Sequence, residues 1–150
     1  MFIRLTDQIS VAPQIAPEDC AVAKRRGFAA IINNRPDGEV PGQPSSAEMR
    51  VAAEAAGLRY CAIPVDHSGF SMPQIDAMAA ELGAAELGAA ELGAGGPVLA
   101  FCRSGTRSTN LWALAEASRG GDPDDIVTAA AAGGYDVSGL LPMLRQLGAR

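Results

Sequence analysis

Histidine is almost missing from this 150-residue chain: His67 stands alone. That scarcity argues against a metal-centred mechanism. Cysteine is scarce as well. Cys20, Cys61 and Cys102 are widely spaced and odd in number, which makes neither a disulfide framework nor a zinc spacing. No metal and no organic cofactor is therefore expected. Long apolar runs are absent too. None reaches the 18 or so residues that would span a membrane, and residues 1–7 lack the apolar stretch of a signal peptide. The expected compartment is the cytoplasm. Basic charge is in deficit, with 12 Lys and Arg against 17 Asp and Glu and a net charge of −5. A nucleic-acid groove is not expected from that balance, although a local basic pocket remains possible on an acidic surface.

What the chain does have is apolar material, 48% of its residues. At this length that suits one ordinary domain spanning 1–150. Short β-like runs alternate with helical ones, the pattern of an α/β fold with four or five mainly parallel strands between helices. Strands are expected at 9–12, 28–32, 59–65 and 97–101. The first helix is read over about 17–26, with Pro17 at its start, acids in its first turn, Lys24, Arg25 and Arg26 in its last, and Gly27 after it. Ser45 to Glu48 is a capping box that opens a second helix, closed by Gly57. Ser71 caps a third, with Gln74 at its third position. A helix is expected over about 108–118, and two short ones finish the chain, from Asp122-Pro123 and near 138–147.

One segment breaks the pattern. Ala-Ala-Glu-Leu-Gly occurs three times in tandem from Ala79 to Gly93. A period of five advances about 500° around a helix, so Leu82, Leu87 and Leu92 cannot share a face. Each glycine also costs a helix about 1 kcal/mol against alanine. Residues 79–93 are accordingly read as a repeat insertion between helix and strand.

The chemistry gathers at Cys102. Strand, cysteine, glycine-containing loop and helix follow one another, so backbone N–H groups and a helix N-terminus converge on one point. Arg103 and Arg107 add positive charge, Ser104 and Thr106 add hydroxyls, and Gly105 allows a backbone turn that other residues resist. A thiol so placed is expected to fall from about 8.5 into the range of about 3.5–7.5. Ser108 is a candidate donor to its sulfur. Cys20 and Cys61 lie in apolar patterns and read as small core residues. Asp66 follows the strand 59–65. It reads equally as a general acid or as a turn former in Asp66-His67-Ser68-Gly69. His67 reads as a solvated loop residue, and Trp112 as core beneath the loop. Arg35 ends a strand at the sheet edge where open α/β sheets bind ligands, which makes it a candidate substrate contact.

Residues 98–108 look like a rhodanese active-site loop. The order of elements before them resembles the dual-specificity phosphatases. With the runs 9–14, 31–39, 63–66 and 134–136, the chain resembles the phosphatase-like domain of the beta-lactamase-hydrolase-like proteins, a bacterial family with a tyrosine-phosphatase-like fold. The resemblance implies a thiolate enzyme with Cys102, Arg107 and Asp66 in catalysis. It implies a small anionic or sulfane-sulfur substrate held by Arg103, Ser104, Gly105, Thr106, Ser108 and Arg35. It also implies, as a partner, a metallo-beta-lactamase-fold persulfide dioxygenase, to which some members are fused or beside which they are encoded. Cysteine phosphatases place five residues between cysteine and arginine; here four intervene, and Phe101 replaces their usual histidine. Losing one residue turns the arginine about 100° at a helix start. On that ground a rhodanese-like sulfurtransferase, working through a Cys102 persulfide, is the first expectation. The alternatives are a phosphatase with a phosphocysteine intermediate and an inactive anion-binding module.

Overall fold

In the computed structural model, which describes residues 1–87 and 95–149, five short strands form one sheet. They are β1 (Ile3–Arg4), β2 (Ile9–Ala12), β3 (Ala30–Asn33), β4 (Arg59–Ala62) and β5 (Val98–Phe101). Their order is β1-β2-β5-β3-β4, parallel throughout except that β1 runs antiparallel to β2. All four residues of β2, β3 and β5 are buried, as befits central strands covered on both faces. β1 is an element that the sequence pattern did not reveal. It is two residues long and folds back along the edge of β2.

Successive side chains of a strand point to opposite faces, and the apolar runs use both. Ala12, Ile31, Leu99 and Phe101 pack with Cys20, Met49 and Leu58. That face is covered by α1 (Asp19–Arg25) and α2 (Ser46–Ala55). Ile9, Val11, Ile32, Val98 and Ala100 point the other way. They meet α3 (Met72–Leu87), α4 (Thr106–Ser118), α5 (Pro123–Ala132) and α6 (Leu141–Gly148), the last preceded by a 3-10 turn at Ser138–Leu140. The capping box forms as read: Ser45 Oγ accepts from Glu48 N, and the Glu48 side chain returns to Ser45 N. Asp122 caps α5 with a single bond, its carboxylate accepting from Asp125 N. Trp112, in α4, is 1% exposed, and its Nε1 has no partner among the described residues.

The tandem repeat begins inside α3. Its first copy and most of its second continue the helix to Leu87. Leu82 is fully buried whereas Leu87 is 64% exposed, the divergence expected from a period of five. Residues 89–93, the third copy, lie outside the described residues. No helix among the described residues is long and apolar enough to cross a membrane.

Register positions the site. Ala12, Phe101, Asn33 and Ala62 pair at one level across the sheet. The four parallel strands thus end together, and the loops that carry Gln14, Cys102, Arg35 and Asp66 leave from one rim.

Candidate active site

Cys102 follows β5 directly and is fully buried. The helix after it starts at Thr106, two residues before the expected Ser108, so Arg107 belongs to its first turn. Gly105 is the N-cap, with φ +90°, and its N–H donates to Cys102 Sγ at 3.1 Å. The loop's carbonyls are held from outside. Gln14 N donates to Arg103 O at 3.2 Å, and Tyr135 Oη to Ser104 O at 3.0 Å. Thr109 donates to Gly105 O from both its backbone N–H and its hydroxyl. Ser104 Oγ donates to Thr106 Oγ1 at 3.0 Å. The Ser108 hydroxyl is directed at Asn34 Oδ1, 2.8 Å away, and not at the sulfur. Asn34 in turn donates from Nδ2 to Ile63 O, so Ser108 fastens α4 to the neighbouring strand ends.

A buried ionic cluster stands beside the loop. Arg107 donates from Nη1 to Glu39 Oε2 at 2.7 Å and from Nη2 to Glu39 Oε1 at 2.8 Å. Its Nη1 also donates to Val65 O at 2.8 Å. Arg35 donates from Nε to Glu39 Oε1 at 2.8 Å and from Nη1 to Gln14 Oε1 at 3.0 Å. The Arg35 and Arg107 side chains are only 4% and 11% exposed. The bond from Arg107, aided by Arg35 and opposed by burial, holds the Glu39 carboxyl down at about 2. Glu39 raises the Arg107 guanidinium in return, and the nearby Cys102 sulfur adds to that rise.

Of the five N–H donors of a guanidinium, Arg107 commits both on Nη1 and one on Nη2. Nε–H and the second Nη2–H remain. These two lie along one edge of the plane, the geometry that grips an oxyanion bidentately. Glu39 thus occupies the end of the arginine, and the guanidinium also interacts with the Cys102 sulfur.

The other expected residues fall at the mouth. Asp66 is exposed and accepts from Ser68 N at 2.9 Å and from Ser68 Oγ at 2.5 Å. Those bonds hold its carboxyl below the usual range. His67 and Arg103 are exposed. Cys20 and Cys61 are free thiols away from this loop, and burial pushes both up. Sequence reasoning missed Glu39, Gln14 and Tyr135 as members of the site. Glu39 lies 68 residues from Arg107, and no spacing in the chain announces that pair.

Residues 2–119 match the family model for the phosphatase-like domain of beta-lactamase hydrolase-like proteins. The chain belongs to that family. A beta-lactamase hydrolase-like protein of Agrobacterium fabrum is 38% identical over 118 residues, which cover 79% of this chain and 25% of that protein. The chain spans about a quarter to a third of the length of the curated relatives it matches. Among solved structures, a candidate phosphatase from Neisseria meningitidis superposes with a TM-score of 0.77 at 28% identity, covering 97% of this chain and 96% of that one. The fold is shared with a kinase-associated phosphatase bearing a serine for its catalytic-site cysteine. There the TM-score is 0.74 at 13% identity, with 99% and 94% covered. The single α/β domain of dual-specificity-phosphatase type is thus established. The sulfurtransferase expectation gains no support from these relatives. It rests on the short loop, in which the Arg107 guanidinium is held by Glu39 and the Val65 carbonyl.

Proposed function

We propose that the chain hydrolyses phosphate monoesters through a phosphocysteine on Cys102. The observation that carries this reading is the Arg107 guanidinium, held by Glu39 close to a sulfur that already accepts the Gly105 N–H. In the first step the ionised sulfur attacks phosphorus. The S–P bond forms, the bond from phosphorus to the ester oxygen breaks, and that oxygen leaves with the electron pair. The loop amides and the Arg107 edge stabilise the phosphoryl oxygens. In the second step water attacks phosphorus, the S–P bond breaks, and inorganic phosphate leaves with the thiolate restored.

Asp66 is the candidate donor of a proton to the leaving oxygen. Its lowered carboxyl is ionised at neutral pH, so little of it carries a proton to donate there. Phenols leave without such help more readily than alkanols. Aryl phosphates are therefore the preferred substrate class near neutrality, and alkyl phosphates gain as pH falls.

The test is turnover of p-nitrophenyl phosphate by wild type and by Cys102→Ser, with acid-quenched samples weighed intact. A phosphoryl group on Cys102 during turnover, and no turnover in the serine variant, supports the reading. A mass gain of one sulfur after thiosulfate treatment, with no phosphate release, replaces it with sulfur transfer. Neither reaction would leave an anion-binding module.

A further inference from the structure

One peptide group carries two of the loop's hydrogen bonds. The carbonyl of the Ser104–Gly105 peptide accepts from Tyr135 Oη at 3.0 Å, and its N–H donates to Cys102 Sγ at 3.1 Å. In a planar trans peptide the C=O and N–H point in opposite directions. Fixing the oxygen outward therefore aims the hydrogen inward. This peptide needs fixing, because Gly105 sits at φ +90° and glycine passes between conformations that other residues cannot. A flip would turn the carbonyl oxygen toward the sulfur and replace attraction by repulsion.

We infer that Tyr135 is a positioning residue, a latch that holds the Ser104–Gly105 peptide with its N–H on the Cys102 sulfur. Tyr135 lies between α5 and the 3-10 turn, 30 residues beyond Gly105, so the latch joins the C-terminal helices to the reactive loop. Its fit is tight. A Cβ on Gly105 would stand 2.2 Å from Tyr135 Oη and 3.1 Å from Cζ. The absence of a side chain at 105 is thus what admits the hydroxyl. Burial and the nearby Cys102 sulfur push the Tyr135 hydroxyl up, so it keeps its proton and its bond across the neutral range.

The inference deepens the phosphatase reading but is tested without a substrate. Tyr135→Phe keeps the ring and removes the hydroxyl. Alkylation of Cys102 by iodoacetamide at pH 7, followed by peptide mass, should slow about 10-fold, the effect of weakening one N–H bond to a charged group. Near pH 10, where thiols ionise without help, the two proteins should react alike. Cys20 is the internal control. General loosening of the fold would speed its labelling, whereas loss of the latch slows Cys102 alone. Gly105→Ala displaces the same peptide from its other side. It should slow Cys102 comparably, and the double variant should be no slower than the worse single one. Unchanged Cys102 labelling in folded Tyr135→Phe overturns the latch. So do rate losses that multiply in the double variant. A wild type that labels fast yet hydrolyses no phosphate ester would sink the phosphatase reading and leave the latch standing.

Discussion

Replacing Glu39 by glutamine should separate oxyanion binding from catalysis. The carboxylate receives three hydrogen bonds from two arginines that are 4% and 11% exposed. A neutral amide with its oxygen at the Oε1 position still accepts from Arg35 Nε and Arg107 Nη2, but its NH2 group then faces Arg107 Nη1. The fall of the Glu39 carboxyl from 4.5 to about 2 corresponds to about 3 kcal/mol. Solvent at the mouth screens part of it, which brings the expected loss of stability to about 1–2 kcal/mol. For a domain of this size that is a melting temperature lower by about 3–8 °C. A carboxyl lowered in the folded state stabilises above its unfolded value and loses that effect as pH falls through its folded value. The stability gap between wild type and Glu39→Gln should therefore be full above about pH 5 and close toward about pH 2. The site itself gains one net positive charge. Removing a like charge from beside the anion is worth about 2 kcal/mol at an effective dielectric of about 20, so inorganic phosphate should bind about 10-fold or more tighter by calorimetry. The freed guanidinium is no longer aimed, and kcat on an aryl phosphate should fall at least about 10-fold. Opposite movement of phosphate affinity and kcat is the signature. Parallel weakening of both would refute the reasoning and reduce Glu39 to a support of the fold.

Competitive labelling should find Cys102 more reactive at neutral pH than Cys20 or Cys61, whose thiols burial pushes up; equal rates would count against an activated loop. Asp66→Asn should slow alkyl phosphate hydrolysis below neutrality by about 10²-fold or more and aryl phosphate hydrolysis far less. Ser68→Ala removes one of the two bonds that lower Asp66, so the alkyl phosphate optimum should move to higher pH. In the repeat, Leu82→Ala should destabilise by about 2–5 kcal/mol in chemical denaturation, whereas the exposed Leu87→Ala should stay within about 0.5 kcal/mol.

The central strands were legible because they are continuous apolar runs, and α2 because Ser45 and Glu48 lie three apart. Cys102 was legible because its partners in the loop are its neighbours in the chain. β1 left no signal: two residues at an edge are too few for a period. Glu39 was hidden for a different reason. Residues 36–38 read as a turn, and only the fold brings their successor against Arg107. α3 ran further than its glycines suggested, since packing of Leu82 and Ala85 and the ion pair of Glu86 with Arg119 outweigh the cost of about 1 kcal/mol for Gly83 in a helix. Ser108 was placed rightly beside the loop, but its hydroxyl proton belongs to Asn34.

Trp112 has a practical consequence. It is the chain's one tryptophan, and it lies on the same helix as Arg107 and Ser108, sealed from water. Its emission therefore monitors the helix that carries Arg107 and Ser108, with no second fluorophore of its kind to blur the signal. A denaturation curve read at that indole can be laid over one read from Cys102 alkylation. If the domain melts as one cooperative unit, the two midpoints coincide. If the loop lets go first, the thiol curve moves to lower denaturant while the indole remains dark to solvent, and the difference measures how firmly the reactive loop is tied to the rest of the domain.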